Sequence, residues 1–307
     1  MSLTILCMKK ILALLSTSFI IMTNFLFAQE QSENIFIHKV GDFEVILLSE
    51  GQGVGNNSIL IGATPQMRNE CIPSGTFPNA FNAFLIKTPE QNMLVDAGRH
   101  SAKLISNLHL VGITPDQIDA VLITHMHGDH IGGLLQNDEA TFPKAKIYIS
   151  QPEYDFWTDD KSMQQLPEER RGGFTTARKV IAAYKDNINL FQPNTLRRDL
   201  YELLPGVSGI AAYGHTSGHT MYLVESNDDQ LLIWGDLVHA MDIQMPYPSV
   251  AVTFDVDSKQ AVITREAVLD FVSRNNMPVA GMHISFPAMG IVSTISSGGY
   301  VFYPYNE

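Results

Sequence analysis

Basic residues are scarce in this chain. Lysine and arginine number 20 against 32 aspartates and glutamates, a formal net charge of −12 at pH 7. No basic run occurs, so nucleic acid is not expected as a partner, because phosphates are met by clustered cations. Cysteine is scarcer, with only Cys7 and Cys71 in 307 residues. Beyond residue 30 no apolar run reaches 18 residues, so the body of the chain is not expected to span a membrane. A glycine-rich dinucleotide or phosphate loop is missing, and so is a Gly-x-Ser-x-Gly elbow. Neither a nucleotide cofactor nor a serine nucleophile finds support. Solenoid repeats and low-complexity tracts are missing as well. What the chain has in quantity is apolar residues, 45% of the total. That is enough for a sizeable core and too much for disorder.

The first 28 residues read as a segment apart. Lys9 and Lys10 precede an apolar run from Ile11 to Phe27, and Ala28 offers a small residue before Gln29. A basic start, an apolar middle and a small residue at the end make a secretory signal peptide, so the protein is expected to be exported to the periplasm or beyond. Removing residues 1–28 leaves Cys71 alone and rules out an intramolecular disulfide. Stability must then come from the core and from metal. Residues 29–307 are read as one catalytic domain.

Within that domain, strands come first. Ile35–Val40 and Phe43–Leu48 flank the turn Gly41-Asp42, and Asn82–Ile86 pairs with Asn92–Asp96 across a turn containing Pro89. Ser101–Leu110 reads as a helix and Val121–Thr124 as a short buried strand. Residues 152–187, with Pro152, Pro167, Gly172 and Gly173, read as a helical insertion or lid. Its Trp157, Met163 and Phe174 are candidate walls of a substrate groove. Strands resume at Val207–Ala212, Met221–Glu225 and Leu231–Trp234. A helix follows from Ser258 to Arg274, with Ala261, Val268, Phe271 and Val272 on its core side. Strand-like Gly290–Ser293 and Tyr300–Tyr303 close the chain. Strands and helices in this alternation suggest two packed sheets with helices outside.

The chemistry concentrates in Thr124-His125-Met126-His127-Gly128-Asp129-His130, directly after an apolar strand. Imidazole and carboxylate suit zinc or a similar divalent ion. One tetrahedral ion cannot easily use all four side chains of so short a loop, and two ions side by side are the natural solution. Further ligand types stand at later strand ends: His215 and His219 in Gly214-His-Thr-Ser-Gly-His, Asp236 after Trp234-Gly235, and His283 after Met282. His38, His100 and His109 carry no motif. Asp255 and Asp257 are expected to cap the following helix.

The His-x-His-x-Asp-His run, followed in order by Gly-His-Thr, Gly-Asp and His, resembles the metallo-β-lactamase superfamily of binuclear metallohydrolases. Asp96 in Leu94-Val-Asp-Ala-Gly98 is similar to that family's first, structural aspartate. The resemblance spans roughly Ile35 to Tyr303 and implies an α/β fold, the four-layer αββα sandwich. It implies two Zn2+ ions, other divalent transition metals being compatible. His125, His127 and His215 would hold the first ion, Asp129, His130 and His283 the second, and Asp236 would bridge them. His219 is expected to support His215 from behind. Met126 stands where flavo-diiron proteins carry glutamate, which argues against redox chemistry. The presence of Asp236, with no cysteine near the later motifs, argues against a true β-lactamase. The stretch Gly235–His239 with His283-Ile-Ser-Phe-Pro resembles the branch of methyl parathion hydrolase and acyl-homoserine lactonases. It implies a hydrolase that opens the ring of a small-molecule N-acyl-homoserine lactone by attack of a hydroxide shared between the ions, a quorum-quenching activity. The alternative is an organophosphate triesterase. Asp129 and His239 are the expected catalytic side chains, with Asp129 passing the proton and His239 donating to a substrate oxygen. Many lactonases carry tyrosine at the position of His239. A homodimer is left open.

Overall fold

The structure is a computed structural model and describes residues 34–196, 200–296 and 298–305. The expected signal peptide, residues 1–28, lies outside the described residues.

Two sheets form because their strands carry apolar side chains in a run rather than in strict alternation. In the strand Phe43–Asn56, Val45 and Leu47 face one way while Ile46 and Leu48 face the other, and all four are buried. Successive side chains point to opposite faces, so such a strand must be covered on both sides. Phe84 and Ile86 against Ala83 and Leu85 repeat the pattern in the neighbouring strand Thr76–Lys87. The first sheet has seven strands. The hairpin Ile35–Val40/Phe43–Asn56 turns at Gly41-Asp42 with Val40 opposite Phe43. Thr76–Lys87 follows antiparallel, then Asn92–Val95. Ala120–Leu122, Lys146–Ser150 and Ile188–Phe191 continue in parallel. The second sheet has six: Val207–Ala211, Thr220–Ser226, Asp229–Ile233, Pro278–Ala280, Met289–Thr294 and Tyr300–Pro304.

One apolar cluster, with Val45, Phe84 and Leu122 from the first sheet and Tyr222, Ile233 and Ala280 from the second, fills the space between the sheets. It extends to Val268, Leu269 and Val272 of the helix Ser258–Asn275, which covers the second sheet. A separate cluster joins the outer face of the first sheet to the helices Ser101–Leu110 and Gly172–Ala183. The layers are therefore helix, sheet, sheet, helix. Among the described residues no helix is long and apolar enough to cross a membrane.

Residues 152–187 form three α-helices, Gln151–Thr158, Asp160–Gln165 and Gly172–Ala183, with a short 3-10 turn at Glu168–Arg170. They connect the parallel strands Lys146–Ser150 and Ile188–Phe191, so this stretch is a crossover whose last helix belongs to the core. Phe174 is fully buried there, and neither it nor Met163 lines the pocket described below; Trp157 does.

The strands place the histidines. Ala120–Leu122, Val207–Ala211, Asp229–Ile233 and Pro278–Ala280 all end a few residues before His125, His215, Asp236 and His283, respectively. Four carboxyl ends thus deliver their loops to one rim of the sandwich.

Candidate metal centre

The seven side chains singled out in the sequence converge at that rim. Ligand-type atoms of His125, His127, His215 and Asp236 lie within 4.8 Å of one another, as do those of Asp129, His130 and His283. His125 Nε2 is 2.9 Å from His127 Nδ1, which is 3.0 Å from His215 Nε2. Asp236 stands between the two groups. Its Oδ2 lies 3.6 Å from His125 Nε2 and 3.3 Å from His215 Nε2, and also 3.1 Å from His283 Nε2. Its Oδ1 lies 3.1 Å from His130 Nε2.

The nitrogens that turn outward explain this convergence. His130 Nδ1 donates to Asp96 Oδ2 at 2.7 Å, His215 Nδ1 to Asp255 Oδ1 at 2.9 Å, and His283 Nδ1 to the Ala80 carbonyl at 2.9 Å. A ring that donates from Nδ1 presents a lone pair at Nε2, the state a metal ligand needs. Asp96 also accepts the Thr124 amide at 2.8 Å and its hydroxyl at 2.6 Å, so it holds both ends of the first histidine loop. These bonds sustain its left-handed φ of 59°.

His219 is no ligand. Its Nδ1 donates to the Ala212 carbonyl, and its Nε2 accepts the Asp236 amide at 3.0 Å. It therefore supports Asp236 and not, as the sequence suggested, His215. Gly235 makes this contact attainable: φ is +59°, and a Cβ would stand 2.4 Å from His219 Nε2. Asp257 caps the helix Ser258–Asn275 through the Lys259 and Gln260 amides, as expected, but Asp255 does not. It is the carboxylate that orients His215.

His239 enters the cluster with Nε2 3.0 Å from Asp236 Oδ2, its ring stacked on His283 at 4.8 Å. Its Nδ1 is buried without a partner among the described residues.

Electrostatics follow from burial set against opposite charges. For Asp236, burial is opposed by His130, His283 and His239, which together hold the carboxyl well below its ordinary range. Burial alone would lower His215, yet hydrogen bonds to Asp236 and Asp255 lift it to about 9. Burial pushes His239 down to about 4 despite Asp236, so this ring is neutral at pH 7.

The donor set fits divalent metal. Six imidazole and carboxylate side chains in two groups share a seventh, and all of them but His127 and Asp129 are buried. His130 Nε2 and Asp236 Oδ1 face each other misaligned for a hydrogen bond, which leaves two buried ligand atoms unpaired. A native interior rarely leaves such atoms without a partner, and an ion between them would serve both.

The cluster forms the floor of a pocket of about 360 Å³. Phe77, Phe81, Trp157, Leu166 and Phe254 give apolar walls, and Arg170 is its single Lys or Arg among the described residues. A larger groove, about 900 Å³, runs past Glu202, Glu225, Asp228 and Asp229, but no histidine lines it.

Comparison with known proteins agrees with this architecture. The solved hydrolase AbOPH of the β-lactamase superfamily superposes with a TM-score of 0.81 at 27% identity, over 89% of this chain and 98% of that one. AidC, a dizinc quorum-quenching lactonase solved with its product, superposes with a TM-score of 0.79 at 22% identity, over 90% and 99%. Exodeoxyribonuclease WalJ of Streptococcus pneumoniae is 43% identical over 53 residues, 17% of this chain. That match spans only 20% of the length of WalJ. A model described as the metallo-beta-lactamase superfamily matches residues 78–280. The chain belongs to the metallo-β-lactamase superfamily.

Proposed function

We propose that this protein is a binuclear metal-dependent hydrolase that opens the ring of N-acyl-homoserine lactones. The observation that carries the reading is a narrow apolar pocket whose floor is the shared Asp236 cluster. The likeness to AidC supports the fold on which this rests.

One ion would be held by His125, His127 and His215, the other by Asp129, His130 and His283, with Asp236 common to both. Ions so held supply Lewis acidity toward an ester carbonyl and activate water at neutral pH. Phe77, Phe81, Trp157 and Phe254 take the acyl chain and exclude bulk water. Each methylene they bury contributes about 0.8 kcal/mol. Asp129 is the proton carrier. Its side chain is 29% exposed against 2% for Asp236, so Asp129 Oδ2 can take a proton at the pocket floor and hand it to the leaving alkoxide.

His239 has a different task from the donor expected at first. Neutral, with its Nε2–H on Asp236, it keeps Nδ1 as an acceptor. Nδ1 is buried, so what His239 offers the pocket is its ring, while its Nε2–H holds Asp236 in place. The organophosphate alternative draws its support from His239 standing where many lactonases have tyrosine. Both readings involve neutral substrates, in keeping with an acidic chain that offers anions no steering. Export belongs to the same proposal and rests on residues 1–28 alone.

The test sets an acid-release assay on an N-acyl-homoserine lactone beside a chromogenic phosphotriester. A kcat/KM favouring the lactone is expected. A ratio strongly favouring the phosphotriester overturns the substrate assignment.

A further inference from the structure

A carboxylate outside the ligand set ties the two histidine loops together. Glu153 is fully buried in the first turn of the helix Gln151–Thr158. Its two oxygens serve different loops. Oε1 accepts the Met126 amide at 2.9 Å and Trp157 Nε1 at 2.6 Å. Oε2 accepts the Thr216 hydroxyl at 2.6 Å and the Gly218 amide at 2.9 Å. Met126 lies between His125 and His127, and Thr216 follows His215. One carboxylate thus holds the backbone beside all three histidines of the first metal position. None of its four contacts involves Asp129, His130 or His283.

The donors require the ionised form. Three of the four are N–H groups that can only donate, so an unprotonated acceptor suits them. Burial pushes the carboxyl pKa up, and the four hydrogen bonds pull against it. The loops are also pressed onto this helix. A Cβ on Gly218 would lie 2.1 Å from the Glu153 nitrogen, and Ser150 Oγ donates to the Gly218 carbonyl at 2.7 Å. The Trp157 ring meets His127 edge-on at 5.6 Å, so the same hydrogen-bonded pair backs a ligand and a pocket wall.

We propose that Glu153 is the positioning residue of the first metal position, fixing the separation of the His125–His127 and His215 loops while leaving the second position to Asp96 and Ala80. The inference rests on the binuclear reading above.

The test is the isosteric variant Glu153→Gln, measured by chelator competition on metal-free protein reloaded with Zn2+. An amide must turn its NH2 toward one of the two donor pairs, so one loop is released. Outer partners of metal ligands typically change affinity roughly 10- to 100-fold. The expected result is a loss of that size at one of two sites, with the other unchanged. Thr216→Val removes one bond of the four and serves if Glu153→Gln does not fold; a smaller loss at the same single site is expected. Hydrogen exchange of the Met126 and Gly218 amides in the metal-free variants should quicken, independently of activity. Wild-type affinity at both sites, or equal weakening of both, overturns the proposal. A wild type that takes up fewer than two ions instead overturns the binuclear reading, and this inference with it.

Discussion

Asp255 receives the Nδ1–H of His215 at 2.9 Å from a position 40 residues further along the chain. Its other oxygen accepts the Val252 amide at 3.0 Å, so the carboxylate cannot swing away from the ring. His215 is thereby locked with Nε2 toward His127 and Asp236. Asp255→Ala should weaken metal binding roughly 10- to 100-fold, and Asp255→Asn, which keeps an acceptor, by less. Zn2+ titration against a chelator checks both. Equal affinities in all three proteins would show that the ring needs no such partner.

His239 separates ligand from substrate contact. His239→Phe should keep its metal and lose up to about tenfold in kcat/KM on an acyl-homoserine lactone, because Asp236 loses one hydrogen bond. Metal analysis of the variant is the control, since a drop in metal content would make His239 a ligand.

The pocket walls predict a chain-length series. Each added methylene should raise kcat/KM about fourfold until the pocket is full. Phe254, 45% exposed at the rim, should matter for longer chains only, whereas Trp157→Ala should flatten the whole series. Kinetics on a homologous set of acyl chains reads this directly.

Away from the centre, Tyr184 carries a pH signature. Its hydroxyl donates to the Leu134 carbonyl at 2.9 Å and accepts the Phe142 amide at 3.0 Å. Burial pushes its pKa up to about 12. The folded state therefore holds this proton more tightly than the unfolded chain. The contribution is complete below about pH 10, the ordinary phenol value, and is lost as pH rises through 12. Tyr184→Phe should cost about 1–3 kcal/mol at pH 8 by leaving two buried groups unpaired. It should also lose less stability between pH 8 and 11 than wild type. Urea midpoints at the two pH values give the comparison, and parallel losses would contradict it.

What the sequence made legible is what lies close together in it. His125 to His130 occupy six positions, and the apolar strand before them announces a rigid base. The hairpin at Gly41 and the helix Ser101–Leu110 are equally local. Asp255 read as a helix cap and Glu153 carried no signal, because their partners are distant: 40 residues for Asp255, and 63 and 65 for Glu153 to Thr216 and Gly218. A lone carboxylate gives no spacing signal. The crossover from Lys146–Ser150 to Ile188–Phe191 was obscured in the same way, since its prolines and glycines suggested an insertion while Trp157, Phe174 and Val180 were joining the core. His239 was visible as a residue, but its proton assignment depended on Asp236 standing 3.0 Å away.

The central claim is a pair of cations sharing Asp236. Elemental analysis of protein purified without chelators, with anomalous diffraction to locate the ions, tests it most directly. Two divalent ions per chain are predicted, one beside His125, His127 and His215 and one beside Asp129, His130 and His283, with both weakened in Asp236→Ala. Protein that holds no ion, or an Asp236→Ala variant that retains both at full affinity, would contradict it.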